Sequence, residues 1–336
     1  MKNYMAWHVN RDDFPREGGT RAQLEYLCRF GILAPSVHNS QPWNFHVTDE
    51  AITVSLEASR KLGAGDPTGR ESWISIGACL ENLLIAGQYF GAHGTVAGRN
   101  GTSVTLGFTH GQPDVSAEPL VDAMAARVSN RNGFSERPVD EHLLEELSGI
   151  KMEGVEVVAS NDPNLITLLA DLTGRAIGMA LGNPDFRGEL SSLVRHNWTK
   201  SGTGMPGFSL GVSGPRSVIE SRMIKHGAVI ASQPAKERRA MEQSGGVVLV
   251  FAEGDSQPYW LAAGRAYQRA NLVLTARGLS CSTTAAVVEA ADYHLDIERY
   301  LHQDGRLQTV TRMGYAKRPV RHSPRLSPGD VVTSSS

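Results

Sequence analysis

Cysteine is scarce in this chain: Cys28, Cys79 and Cys281 are the only three in 336 residues, and no CxxC spacing occurs among them. That excludes a disulfide-framed secreted scaffold and a thiolate zinc site, and it suits a reducing, cytoplasmic compartment. Each reads as a small core residue, because free cysteine is usually buried. Neither sign of charge is in excess, with a formal net of -2. No basic field is therefore available to attract nucleic acid. No apolar run approaches the roughly 20 residues of a membrane-crossing helix. The amino-terminal MKNYMAWHVNRDD has neither the apolar core nor the cleavage site of a secretory signal. The histidines show no HExxH or other ligand spacing, so no metal site is expected.

Two apparent motifs are decoys. GTGMPG at 202–207 fits the GxGxxG dinucleotide fingerprint, and GFSLG at 207–211 fits the GxSxG nucleophile elbow. Both patterns must follow a strand and open a helix. Here RHNWTKS precedes the first, Pro206 interrupts it, and Gly214-Pro215 follows the second. DPTGRES at 66–72 reads as a turn whose Asp66 and Glu71 are surface carboxylates, and His38 as a surface loop residue. No side chain stands out as a catalytic nucleophile or general base.

What is present is an ordinary globular pattern of alternating helices and strands. Helical spacing of Leu24, Leu27, Cys28 and Ile32 predicts a helix over 21–33, stopped by Pro35. NFHVT and AITVSLEA predict a strand pair around Asp49-Glu50. A long apolar helix is expected over 73–90 and strands over 95–109. Further on, helices are expected at 119–128, 140–149, 163–181 and 258–277, and strands at 154–160, 245–253 and 308–316. The segment 182–244 differs: it is rich in Gly, Ser and Pro, with only broken helical patterns at 185–195 and 215–231. The first twenty residues read as an irregular arm, and the tail after Pro319 as extended with disordered last residues.

An internal echo suggests the architecture. WISIGACLENLLIAGQYFG (73–91) and WLAAGRAYQRANLVLTARG (260–278) share Trp, Gly and Gly in register, with Glu81 equivalent to Gln268. Chance similarity of Leu-rich helices is the bland explanation. Duplication explains more: one half over 1–118 and a second over 119–336, the latter interrupted by a lid-like insertion at about 182–244. Two such halves pack as an internal pseudo-dimer.

Two stretches carry most of the polar chemistry. In RVSNR (127–131), Arg127, Ser129 and Arg131 alternate, so in extended backbone they share a face and offer two guanidinium forks and a hydroxyl to one phosphate. A solvated charged turn is the competing reading. In APSVHNSQPWNFHV (34–47), the side chains of Ser36, Asn39 and Gln41 can read a planar heterocycle, with Pro35 and Pro42 stiffening the loop. A capped helix end ahead of a buried Trp43 accounts for it equally well. Arg325, in SPRLSPGDVV, is held in extended backbone by its prolines and is a candidate third cation.

These stretches resemble the nitroreductase superfamily of flavoenzymes. APSVHNSQPWNFHV resembles its APSxxNxQPWxFxV signature, RVSNRNGFSERPVDEHLLEEL its RxSxRxF…RPVxxExLxxL motif, and VTRMGYAKRPVRHSPRLSPGDVV its closing GY…PR segment. The order is reversed relative to the common members, which resembles the tandem single-chain Acg-type subgroup. The resemblance implies an α+β, nitroreductase-like fold of two pseudo-symmetric halves, each a mostly antiparallel sheet flanked by helices. It implies one FMN per chain, with NAD(P)H as a possible donor and a small planar acceptor such as a nitroaromatic, quinone or enone. Arg127, Ser129, Arg131 and Arg325 would hold phosphate and ribityl, and Pro35, Ser36 and Asn39 the ring. Thr284, Ala285 and Ala286 fall where the superfamily's backbone approaches flavin N5. An Acg-type member with a closed lid would store FMN instead, and a dehydrogenase of a specialised metabolite is a third possibility. A monomer or a homodimer is compatible with either.

Overall fold

The computed structural model describes residues 2–334. Two short 3-10 turns, Lys2–Trp7 and Arg11–Asp13, lead into α1 (Thr20–Gly31). The expected helical face is the buried one, with Leu24, Leu27, Cys28 and Ile32 fully enclosed. β1 (Trp43–Val47) and β2 (Ala51–Leu56) form the antiparallel pair, and Trp43, Phe45 and Val47 alternate inward. Next come α2 (Arg70–Phe90), β3 (Ala92–Arg99), β4 (Ser103–His110) and α3 (Glu118–Ala126). Periodicity places the start of α2 at Trp73, but the helix begins at Arg70 because buried Asp66 caps it. The Asp66 carboxylate accepts from the amides of Glu71 (3.0 Å) and Ser72 (2.9 Å) and from the Ser72 hydroxyl (2.6 Å). The DPTGRES turn is thus a buried cap, contrary to the surface reading.

The chain continues through α4 (Glu141–Ser148), β5 (Val155–Ser160), α5 (Pro163–Gly182) and α6 (Pro184–Leu193). A two-residue parallel pair, β6 (Val194–Arg195) and β7 (Met205–Pro206), is followed by α7 (Gly214–Lys225) and α8 (Gln233–Glu242). The remainder is β8 (Gly246–Ala252), α9 (Gln257–Ala276), β9 (Ser280–Thr284), α10 (Ala286–Glu289), α11 (Tyr293–Tyr300), β10 (Arg306–Gly314), α12 (Pro328–Val331) and β11 (Val332–Ser334).

One sheet has the order β11-β1-β2-β4-β3, the other β5-β8-β10-β9. All pairings in the two are antiparallel except β1 with β11, where Phe45 faces Val332. The tail therefore closes the first sheet, where an extended segment with loose end residues was expected; 335–336 lie outside the described residues. β8 is buried on both faces: Val248 and Val250 pack with α4 and α9, while Val247, Leu249 and Phe251 pack with α5. α5 is the one described helix long and apolar enough to cross a membrane, contrary to the sequence reading. Its Leu165, Leu169, Leu172 and Ala176 are buried against the second sheet, and its Asp171 pairs with Arg238 of α8 at 3.4 Å.

α2 and α9 cross in close contact, and the two equivalent glycines make this possible. A Cβ on Gly77 would lie 2.3 Å from the Leu261 carbonyl, and one on Gly264 would lie 2.2 Å from the Ile74 carbonyl. Fully buried Glu81 of α2 accepts from Arg265 (2.9 Å) and Arg269 (2.6 Å) of α9, and Gln268 donates to Asn82 at 2.7 Å. The echo in sequence is thus an interface in space.

The segment 182–244 is more ordered than its composition suggests. Leu181, Val194, Met205, Ile224 and Val229 give it a small core of its own. α8, which the pattern does not reveal, is held by Gln233–Glu237 and Arg238–Glu242 contacts one turn apart and by packing on α5.

Candidate functional site

A cavity of about 770 Å³ opens under α6, α7 and α8. It is bounded by the 35–38 loop, the start of α2, the end of β9 with α10, and Ser129 and Arg131. Segments far apart in sequence meet here for identifiable reasons. The RVSNR stretch lies alongside β9: Ser129 forms a parallel bridge with Cys281, and the Asn130 amide donates to the Cys281 carbonyl at 2.8 Å. Arg312 of β10 fixes that stretch from beneath, donating to the carbonyls of Asn130 (3.0 Å) and Asn132 (3.1 Å).

The predicted residues divide into two groups. Pro35, Ser36, Ser129, Arg131, Thr284, Ala285 and Ala286 line the cavity. Asn39, Gln41, Arg127 and Arg325 do not. Asn39 donates to the carbonyls of Gly204 (3.0 Å) and Pro324 (2.9 Å) and accepts from Arg325 (2.6 Å). Gln41 donates to the Gly202 carbonyl (2.7 Å) and accepts from the Leu326 amide (3.0 Å). These amides lock the loop to the 202–204 turn and the tail; their groups are already paired within the protein. The loop is also strained: His38, Asn39 and Gln41 hold φ of +47°, +57° and +52°. Non-glycine residues enter this region at a cost that surrounding contacts must offset.

The dominant electrostatic feature is positive charge without a counterion. Arg127 and Arg325 are 3% and 4% exposed, and each leaves its Nε without a partner. Among the described residues no carboxylate lies within ion-pair distance of Arg127, Arg131, Arg312 or Arg325. Arg127 contacts only the Ser129 hydroxyl at 3.5 Å, and Arg131 only the Met205 sulfur at 3.4 Å. Arg325 donates to neutral carbonyls and stacks over Trp7 at 4.6 Å. Burial, with Arg127 nearby, pushes Arg325 well down from the usual guanidinium range.

Two histidines that the sequence did not single out as site residues report the same field. His322 stacks on Trp7 at 4.1 Å, and burial, then Arg127 and Arg325, lower it to about 4. His38 is not at the surface as expected; it lines the cavity near Phe186 of α6, and burial, then Arg131, lower it to about 4. A single strand motif such as RxSxR signals two cations. SPRLSPGDVV points to Arg325 as a third, whereas Arg312, which holds the RVSNR backbone, has no local signature.

The covering segment is clasped to the loop before α2. The Glu189 carboxylate of α6 accepts from three consecutive amides, Gly63 (2.5 Å), Ala64 (3.0 Å) and Gly65 (2.7 Å). Such a concave run of N–H groups is a nest for an anion.

These observations define an α+β protein with a cavity beneath α6, α7 and α8, lined by an Arg131 that has no ion-pair partner. No protein-family model matches the chain. It is 23% identical over 315 residues to "Putative NAD(P)H nitroreductase Rv3131" of Mycobacterium tuberculosis (strain ATCC 25618 / H37Rv), covering 91% of this chain and 90% of that protein. It is 36% identical over 77 residues to "Putative NAD(P)H nitroreductase acg" of the same strain, covering 23% and 21% respectively. The chain is thus similar to proteins named as putative NAD(P)H nitroreductases, one of them of the Acg type. Similar solved structures include the FMN and NADPH-dependent nitroreductase NfnB from sphigopyxis sp. strain HMH, 18% identical with a TM-score of 0.41 over 65% of this chain and 99% of that one. Another is iodotyrosine deiodinase bound to FMN and 3-iodo-L-tyrosine, 14% identical with a TM-score of 0.39 over 62% and 95%.

Proposed function

We propose that this chain is an FMN-dependent oxidoreductase of nitroreductase type, which takes reducing equivalents from NAD(P)H and passes them to a small planar acceptor. The observation that carries the reading is the set of guanidiniums without an ion-pair partner, Arg131 on the wall of a cavity of cofactor size and buried Arg127 and Arg325 away from it. A phosphate dianion is the chemical partner that such a set lacks. FMN, when bound, supplies hydride acceptance and donation at its ring. Arg131 and Ser129 would hold its phosphate from the cavity wall, with Arg127 and Arg325 supplying field from behind. Pro35 and Ser36 would contact the ring edge, and the backbone of Thr284, Ala285 and Ala286 its reacting side. Asn39 and Gln41 hold the loop in its strained shape, and Arg312 positions the RVSNR strand. One such constellation is present, so one FMN per chain is expected.

The Glu189 clasp favours a second reading: a lid held shut retains FMN and excludes an external donor, as in storage. Both readings are tested by purifying the protein, measuring flavin per chain, and adding NADH or NADPH anaerobically. Rapid bleaching of a one-to-one flavoprotein supports the oxidoreductase. Intact colour with NAD(P)H and slow bleaching by dithionite supports storage. A chain that takes up no FMN refutes both.

A further inference from the structure

A second part of the cavity wall has the opposite character. Glu71, in the first turn of α2, and Glu289, the last residue of α10, both line the cavity and share one guanidinium. Arg70 contacts Glu71 through Nη2, which also lies 2.8 Å from Glu289, and its Nε lies 2.9 Å from Glu289. Its Nη1 is taken by the Gln308 carbonyl at 2.5 Å. Arg70 is 3% exposed and has no capacity to neutralise both carboxylates. Asp66 adds no compensation, since its oxygens accept only from neutral groups. With Asp66 counted, three carboxylates face the one Arg70 charge, and the nearby Arg306 is already shared by Asp255 and Glu298. Burial, opposed by Arg70 and reinforced by Glu289 and Asp66, pushes Glu71 up to about 7, as expected where positive charge is short.

An independent observation points to a ligand at this place. Thr309, next to the residue that holds Arg70, lines the same cavity, is 4% exposed, and its hydroxyl has no hydrogen-bond partner. A register irregularity in β10 between Leu307 and Thr309 breaks the regular ladder here. Buried hydroxyls are almost always paired, so an orphan facing a cavity marks a missing donor or acceptor. Ile74, Ile177 and Leu181 supply apolar surface to the same cavity.

We propose that the substrate of this cavity is an apolar molecule bearing a protonated amine, its ammonium held by the Glu71 and Glu289 carboxylates and the Thr309 hydroxyl. An ammonium has three N–H donors and no acceptor. Three acceptors with a net negative charge match it, whereas a neutral or anionic substrate leaves them unmatched. The proposal names the substrate class of the oxidoreductase site and rests on the proposed function for the redox step; the binding step stands alone.

The test uses the purified full chain, its flavin content recorded, and two probes: 3-nitrobenzylamine, protonated at pH 7.5, and neutral 3-nitrobenzyl alcohol. Calorimetric titration should show the amine binding at least tenfold tighter. Glu289→Gln should remove most of that preference, and Thr309→Val should weaken amine binding severalfold while leaving the alcohol unchanged. Glu289 is partly exposed and the change is isosteric, so the variant should fold; its circular dichroism and melting temperature check this. Equal affinity for the probes, no binding of either, or a preference that survives Glu289→Gln and Glu71→Gln would overturn the proposal. A protein that takes up no FMN yet prefers the amine refutes the redox reading alone.

Discussion

Replacing Arg127 with methionine should move stability in opposite directions with and without cofactor. The guanidinium is 3% exposed, lacks a partner at Nε, has one 3.5 Å contact to a neutral hydroxyl, and lies near Arg325 and His322. Removing a charge of this size from water leaves a penalty of several kcal/mol even after relaxation, and apolar replacement of buried ionic groups is often stabilising by about 1–4 kcal/mol. For a gain of ~2 kcal/mol, flavin-free Arg127→Met should melt roughly 3 °C higher than the unmodified chain, given an unfolding entropy of about 2.1 cal/mol/K per residue. FMN binding should weaken, because the field of a positive charge behind the phosphate is lost; at an effective dielectric of about 20 such a charge is worth ~2–4 kcal/mol, roughly 30- to 1000-fold in affinity. At FMN about a hundredfold above its Kd the unmodified chain gains ~2.7 kcal/mol from ligand linkage, whereas a variant weakened more than about fiftyfold gains under ~0.7 kcal/mol, and the order of melting temperatures reverses. The assay is differential scanning fluorimetry across an FMN titration, with Kd from quenching of flavin fluorescence. A variant that melts lower without flavin, or that keeps the original FMN affinity, refutes the reasoning.

Two further predictions concern packing and pH. Gly264→Ala should lower the melting temperature by several degrees, because the new methyl meets the Ile74 carbonyl at 2.2 Å and overpacking costs about 1–3 kcal/mol; a change within one degree in calorimetry would show that α2 and α9 separate freely. His38 and His322 are both lowered to about 4, so between about pH 6.5 and 4 the unfolded chain binds protons that the folded chain refuses. Their stabilising effect is complete above pH 6.5 and is lost as pH falls through that window. Melting curves from pH 7.5 to 4.5 should therefore fall less steeply in His322→Gln, and parallel curves would argue against it.

Local patterns were readable where one physical rule dominates. The apolar face of α1, the alternation of β1 and the uniformly apolar α2 each follow from burial of a face set by a single period. α8 was missed because its sequence, QPAKERRAME, has almost no apolar stripe; its helical state depends on charge pairs and on α5 beside it. β11 was missed because three polar-flanked residues acquire strand geometry only when β1 offers them a ladder. In the site, Arg131, Ser129, Pro35 and Ser36 were named from motif and spacing and line the cavity. Asn39 and Gln41 were named for chemistry that their geometry directs into the protein instead. Asp66 and Glu71 read as surface carboxylates of a turn, since nothing in a short polar stretch reveals that β10 and α10 will cover it.

Sequence by itself determined the elements, the residue types available for binding anions, and the pair of glycines that permits two helices to touch. These depend on periodicities and side-chain chemistry that neighbours in the chain already specify. Tertiary structure alone decided which charges go unpaired. Whether Arg127 or Arg325 finds a carboxylate, and whether Glu71 and Glu289 must share one guanidinium, depends on what distant segments bring within a few ångströms. Burial then turns each imbalance into a preference for a ligand of the opposite charge.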